Sequence, residues 1–193
     1  MFGIKNYNPR FYSNCKEFMF KNNFLIHKII GQKLEKIFWV WDNNEDEWVK
    51  DCPVVLKLSD GVVTLCSNKH SDFSMGWNNI DLKDKPVPYG CKNTSLEWRE
   101  FHSRGFDRVS NRRVESVEVI NFLPTYIEDF PVFDLAEARI IKKLGFLHGV
   151  GFSFYGTSIS VLNGLYDNNI VFFEDEFPSY YTRIIINKSS KVL

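Results

Sequence analysis

Four apolar positions, Leu56, Leu58, Val63 and Leu65, recur as Phe152, Phe154, Ile159 and Val161, every one displaced by 96 residues. In both sets the apolar residues alternate with polar ones on either side of a turn, Ser59-Asp60-Gly61 in the first and Tyr155-Gly156 in the second. A period of two is the signature of a strand with one face buried, so each set reads as a β-hairpin. Asp60-Gly61 is expected to supply the positive φ angles of a tight reversal. A chain that writes one hairpin twice is confined to a β-rich architecture with internal repetition.

The repetition extends to both sides of the hairpin. "GQKLEKIFWVW" at 31–41 aligns with "NRRVESVEVIN" at 111–121, with Gly31 over Asn111, Lys33 over Arg113, Leu34 over Val114, Glu35 over Glu115 and Ile37 over Val117. Each line reads as a turn, opened by a residue that tolerates left-handed backbone, followed by a strand. Downstream, "WNNIDL" at 77–82 echoes "DNNIVFF" at 167–173, and both Asn pairs are expected to form one repeated turn entering another strand. The second half carries an extra segment in which Asp134 and Glu137 form a capping box, Ala136, Ile140, Ile141 and Leu144 share a face, and Gly145 ends the run. This pattern predicts an inserted helix over 134–145. "TSLEWREFHSRGF" at 94–106 is expected as a second helix capped by Ser95, and "YYTRIII" at 180–186 as a final strand.

The predicted fold is mainly β (α+β): two tandem related β-rich halves with one or two helices, free to pack as one body. The first half is placed at 1–90, a connector at 91–104 after the proline-bearing stretch that begins at Lys83, and the second half at 105–193.

Bulk properties exclude several function classes. Lysine plus arginine equals aspartate plus glutamate at 24 each, so no overall field draws in nucleic acid or anionic lipid, and any charged partner must meet a local patch. The first residues carry Lys5, Arg10, Lys16 and Glu17, which leaves no room for the apolar core of a signal peptide; a cytoplasmic location is expected. The uncharged run at 144–166 is long enough for a membrane span, but its glycines, hydroxyls and alternating Phe152, Phe154, Ile159 and Val161 are strand chemistry, so no membrane partner is expected. Cys15, Cys52, Cys66 and Cys91 and His27, His70, His102 and His148 are scattered without ligand spacing, and no metal, cofactor or catalytic residue is assigned. "GVGFSFYG" at 149–156 fails the dinucleotide template because Phe154 stands at the third glycine position and a strand follows.

The densest chemistry is the acidic stretch "WDNNEDEWVKD" at 41–51, with Asp42, Glu45, Asp46, Glu47 and Asp51 between Trp41 and Trp48. Carboxylates beside large aromatic side chains are the composition of a protein-binding patch, and Asp42, Glu45, Asp46, Glu47, Trp48 and Asp51 are the candidate contact residues. The same carboxylates read equally as a solvated loop without a partner, and a further alternative is a divalent-metal site or an enzyme of unrecognised type, in which they act with a histidine as acid and base. Glu174, Asp175 and Glu176 read as protection of a sheet edge. Five of the eight arginines, Arg99, Arg104, Arg108, Arg112 and Arg113, are interleaved with Trp98, Phe101, His102 and Phe106. That composition suits a single-strand nucleic-acid binder, a disfavoured alternative because no nucleic-acid motif accompanies it.

Over residues 24–82 the tryptophan-rich strand "LEKIFWVWD", the acidic loop and the hairpin "VVLKLSDGVVTLCS" together resemble the small β-rich proteins of bacterial polymorphic-toxin and contact-dependent growth inhibition loci. The resemblance implies a non-enzymatic immunity protein that binds and neutralises a cognate toxin, such as a nuclease. A basic toxin surface would be met by local acid with aromatic anchors, which residues 41–51 supply.

Overall fold

The computed structural model describes residues 3–69, 72–88, 94–122, 146–164, 168–173 and 181–189. The helix expected over 134–145, the acidic run 174–176, His70 and Cys91 lie outside the described residues. The fold is mainly β, with two helices and two antiparallel sheets among the described residues. The first half runs α1 (Cys15–Ile29), β1 (Leu34–Asp42), β2 (Glu47–Trp48), β3 (Val54–Leu58), β4 (Gly61–Asn68), β5 (Asp72–Trp77) and β6 (Leu96–Glu100). The second runs α2 (Arg104–Val109), β7 (Ser116–Phe122), β8 (Phe146–Phe154), β9 (Thr157–Asn163), β10 (Asn169–Phe172) and β11 (Tyr181–Ile186).

Each half builds its own sheet, and the two sheets have one topology. In the first, β1, β3, β4 and β5 form a meander and β6 returns to pair with β1; in the second, β7, β8, β9 and β10 form the meander and β11 returns to pair with β7. The short β2 is an addition to the first sheet, closing on the far end of β1. Register repeats as well as order. Val54↔Leu65, Leu56↔Val63 and Leu58↔Gly61 become Val150↔Val161, Phe152↔Ile159 and Phe154↔Thr157, all shifted by the 96 residues seen in the sequence. The register is this definite because one face of each hairpin is buried, and a slip of one residue would turn every apolar side chain outward.

The halves meet through equivalent positions. α1 and α2 both end just before a left-handed residue, Gly31 (φ 94°) and Asn111 (φ 59°). Gly31 N–H donates to Val114 O (2.8 Å) and Asn111 N–H to Leu34 O (2.7 Å), while Leu34 N–H donates to Arg112 O (3.0 Å) and Val114 N–H to Gln32 O (2.9 Å). Exchanging the halves, a shift of 80 residues, turns each bond of a pair into the other, so the junction has local two-fold symmetry with Lys33 opposite Arg113. The shared core includes Leu56, Leu65 and Phe73 of the first sheet, Val119, Phe152 and Val161 of the second, and Phe18, Ile26 and Ile29 of α1. The opposite face of the first sheet is closed by the N-terminal segment, where Ile4 and Tyr7 cover Val40, Val55 and Cys66.

Four local expectations are corrected. α1 was not anticipated from the sequence, although Asn14 caps it by accepting from Lys16 N–H (2.9 Å) and Glu17 N–H (3.1 Å) and Phe18, Asn22, Ile26 and Ile29 form its buried stripe. Phe20 and Phe24 stand exposed on the other side of the helix and obscure the apolar face in the sequence. The stretch 94–106 is not a helix capped by Ser95, and 91–104 is more than a connector: residues 96–100 form β6, and the short α2 starts later, capped by Ser103. Pairing with the whole distal half of β1 overrides local helix preference there.

At the first hairpin neither Asp60 nor Gly61 has a positive φ. Gly61 is there for space, since a β-carbon would lie 2.4 Å from the Trp77 ring; in the second hairpin Gly156 does use φ 72°. The Asn-Asn echo joins positions that are not equivalent. Asn78, at φ 49°, leaves β5 and its side chain accepts from Val62 N–H, whereas Asn169 begins β10. The echo spans 90 residues, six short of the 96 that relate the two sheets, so a turn in one half faces a strand in the other.

Candidate functional site

β1 runs past the edge of β3 and folds back as β2, with Trp41↔Trp48 and Asp42↔Glu47 in register, so Asn43–Asp46 form the tip of a hairpin. The tip is held from several sides. Asp42, half-buried, accepts from Asn44 N–H (2.8 Å) and Glu45 N–H (3.4 Å), the arrangement of an Asx turn. Asp46 takes φ 53°, accepts from Trp41 Nε1 (3.2 Å) and lies 3.7 Å from Arg99 Nη1. The start of β6 clamps the same turn: Asn43 N–H donates to Ser95 O (2.9 Å), Ser95 N–H to Asn44 Oδ1 (3.0 Å) and Arg99 Nη2 to Asn43 Oδ1 (2.9 Å). Arg99 also pairs with Glu97 at 3.2 Å and lies over the Trp41 ring at 4.2 Å.

Beside the tip an aromatic ridge joins the two halves. Trp39 stacks on Trp48 (4.9 Å) and meets Phe101 edge-on (4.4 Å), and Phe101 stacks on Phe173 (5.3 Å, 7°). Trp48 therefore turns its ring onto Trp39, half-buried, and acts as the floor of the site.

The structure gathers Asp42, Glu45, Asp46 and Glu47 on one turn and sets Asp51 apart, exposed on the bend between β2 and β3. That bend is tied to the second sheet: Asn169, fully buried, donates from Nδ2 to Lys50 O (2.8 Å) and Cys52 O (2.9 Å) and accepts from Ser67 N–H (2.8 Å). Asp42 and Asp46 are committed to holding the turn. The Glu45 and Glu47 carboxylates are exposed and make no hydrogen bond or ion pair among the described residues. Sequence reasoning missed Asn43, Asn44, Ser95 and Glu97, whose roles come from the β1–β6 pairing and have no local signature.

For the enzyme reading, no group of three His, Cys, Asp or Glu side chains is arranged to hold a metal ion among the described residues. His27 lies in the last turn of α1 and His102 between β6 and α2. His148 sits inside β8 among Phe122, Phe146 and Tyr181, with Tyr181 Oη 3.1 Å from its Nε2, and burial lowers its pKa to about 4. Cys15, Cys52 and Cys66 are buried free thiols, and burial raises that of Cys15 to about 12. No described helix is long and apolar enough to cross a membrane.

The five arginines do not form one patch. Arg99 belongs to the acidic tip, Arg104 and Arg108 lie on α2, and Arg112 and Arg113 stand at the junction of the halves, near the opposite end of β1. No family model, no curated protein and no solved structure matches the chain.

Proposed function

We propose that this protein is a non-enzymatic binding protein that neutralises a partner protein, in the manner of the immunity proteins it resembles, and that the β1–β2 tip is its contact. One observation carries the reading: a turn held by Asp42, Asp46, Ser95 and Arg99 presents at its surface two carboxylates, Glu45 and Glu47, that have no partner among the described residues. A turn whose shape is set before binding loses little conformational entropy on association, and uncompensated charge steers a partner of opposite sign. The fitting partner is a protein with a basic surface, such as a toxin that acts on nucleic acid.

The test is binding of a basic nuclease-toxin domain, followed by calorimetry and stopped flow, comparing the natural protein with a Glu45→Lys/Glu47→Lys variant. Both positions are exposed, so circular dichroism should show an unchanged fold. The variant should bind at least a hundredfold more weakly, with a slower association rate whose fall with added salt is weakened or reversed. Unchanged affinity in the double variant would remove the tip from the contact.

A further inference from the structure

The junction of the halves carries a second charged feature, independent of the acidic tip. Arg112, Arg113, Glu115 and Tyr155 line an open depression of about 330 Å³. Arg112 donates from Nη1 to Tyr155 O (2.6 Å) and Arg113 from Nη1 to Gly31 O (2.7 Å), so both guanidinium groups are anchored through backbone carbonyls. Lys33 stands directly opposite Arg113 in the bridge between the halves. The Lys188 ammonium lies close by, since a β-carbon on Gly31 would sit 3.1 Å from its Nζ. Among the described residues none of Lys33, Arg112, Arg113 and Lys188 has a carboxylate within ion-pair distance.

Like charges placed opposite each other across paired backbone destabilise the pairing. Elsewhere along these strands the cations are matched: Lys36 to Glu100, Lys57 to Glu35 and Arg183 to Glu118. The junction departs from that rule: Lys33 and Lys188 lie near Arg112 and Arg113, and among the described residues none of the four is matched to a carboxylate. The position equivalent to Arg112 in the first half is Gln32, whose Oε1 accepts from Asp60 N–H of the first hairpin turn (3.0 Å). Arg112 reaches the second hairpin turn with the opposite polarity, donating to Tyr155 O where Gln32 accepts from an N–H, and an uncharged amide, which can donate as well as accept, would suffice for that bond. The extra charge therefore has another use. Guanidinium groups fixed in place, with donors left over, are suited to the oxygens of a phosphate. The Tyr155 ring is 80% exposed at the rim, free to stack on a base.

We propose that this depression is a binding site for phosphate-bearing anions, with Arg112 and Arg113 as donors, Lys33 and Lys188 supplying charge, and Glu115 limiting affinity. The phosphate comes from one of two sources, a free polyphosphate or nucleotide, or the backbone of a single nucleic-acid strand.

Calorimetric titration of the full chain at low salt, with pyrophosphate in one arm and a short oligothymidylate in the other, tests the site. Saturable binding is expected in at least one arm, weakened about tenfold by Arg113→Gln and tightened by Glu115→Gln. Lys33→Gln makes the outcome independent of folding, because the Lys33 ammonium has no hydrogen bond or ion pair among the described residues to lose. That variant should bind a few-fold more weakly while its melting temperature without ligand stays level or rises, which a purely structural lysine would not do. If Tyr155→Ala weakens the oligothymidylate and spares pyrophosphate, the source is a nucleic-acid strand; if pyrophosphate binds at least as tightly and Tyr155→Ala changes neither arm, the source is a free anion. Absence of saturable binding in both arms, or affinity unchanged by Lys33→Gln and Arg113→Gln together, overturns the proposal. β1 spans nine residues between this site and the tip, roughly 30 Å of strand. Glu45→Lys/Glu47→Lys should therefore leave anion binding unchanged, which separates this site from the proposed toxin contact.

Discussion

The two sheets share strand order and register but differ on the face each turns away from the common core. In the first sheet that face carries Phe38, Val55, Val62 and Cys66, and the N-terminal segment closes over it with Ile4 and Tyr7. At the equivalent positions the second sheet carries Glu118, Gly151, Ser158 and Leu162. Glu118 is 3% exposed, pairs with Arg183 at 3.2 Å and accepts from the Ser153 hydroxyl. The same contrast appears between Phe73, which fills the shared core, and its counterpart Asn169, which binds the backbone of the other half. The lesson is that the inward alternation suffices to specify the sheet. The outward face is then free to diverge, its buried Glu118 carboxylate being held by Arg183 and the Ser153 hydroxyl.

Substituting residues of one half toward the chemistry of the other tests that contrast. Asn169→Phe should have the largest effect. It copies the first half but strands Cys52 O and Ser67 N–H and leaves Lys50 O only the Asn169 backbone N–H, and a loss of about 4 kcal/mol in urea unfolding is expected; a loss below about 1 kcal/mol would show that the sheets do not depend on this link. Arg183→Met should cost about 3 kcal/mol by leaving the Glu118 carboxylate buried without its cation. Adding Glu118→Gln should recover part of that loss, and no recovery would mean that the charge is not the cause.

One acid effect is expected from His148 in the second half. His148 is neutral when folded, with its pKa lowered to about 4, whereas the unfolded chain takes up the proton below about 6.5. The unfolded state thus binds more protons in that window, so stability falls as pH drops through it and levels off below about 4. The residue 96 positions earlier is Cys52, whose thiol is pushed upward by burial and contributes nothing at acid pH. At pH 5 the His148 contribution should be a loss of about 2 kcal/mol relative to pH 7, and His148→Gln should flatten the profile. An equally steep profile in that variant would assign the acid sensitivity to other groups. The smallest effect is expected at Gly156→Asp, which copies Asp60 into a turn that needs φ 72°. A drop of about 1 kcal/mol is expected, while Asp60→Gly, at a position without positive φ, should not raise stability.

Much of the acidic tip was legible because Asp42, Glu45, Asp46 and Glu47 are neighbours in the chain and turn residues declare themselves locally. Its rigidity was not, since Ser95 and Arg99 reach it from more than fifty residues away, and the ridge beside it is completed by Phe173 stacking on Phe101. The same reason hid the cationic junction. Arg112 and Arg113 stand in the sequence beside Arg104 and Arg108, yet the fold separates them from Arg99 and brings them to Lys33 and Lys188. β6 escaped notice because a five-residue strand at a sheet edge has half-buried positions throughout and no clean alternation. α1 escaped because Phe20 and Phe24, exposed, mask its buried stripe.

Read alone, the sequence determined that alternating apolar residues would build two hairpins of one register, and that Gly31 and Asn111 would turn the chain into matching strands. Periodicity and backbone sterics are local properties, carried by residues a few positions apart. Only the tertiary structure decided how the halves join, which face of each sheet is polar, and which charges are answered. Those outcomes depend on side chains that meet across some eighty to a hundred residues of chain, where burial and Coulomb attraction act on distance in space and leave no periodic trace in the order of the residues.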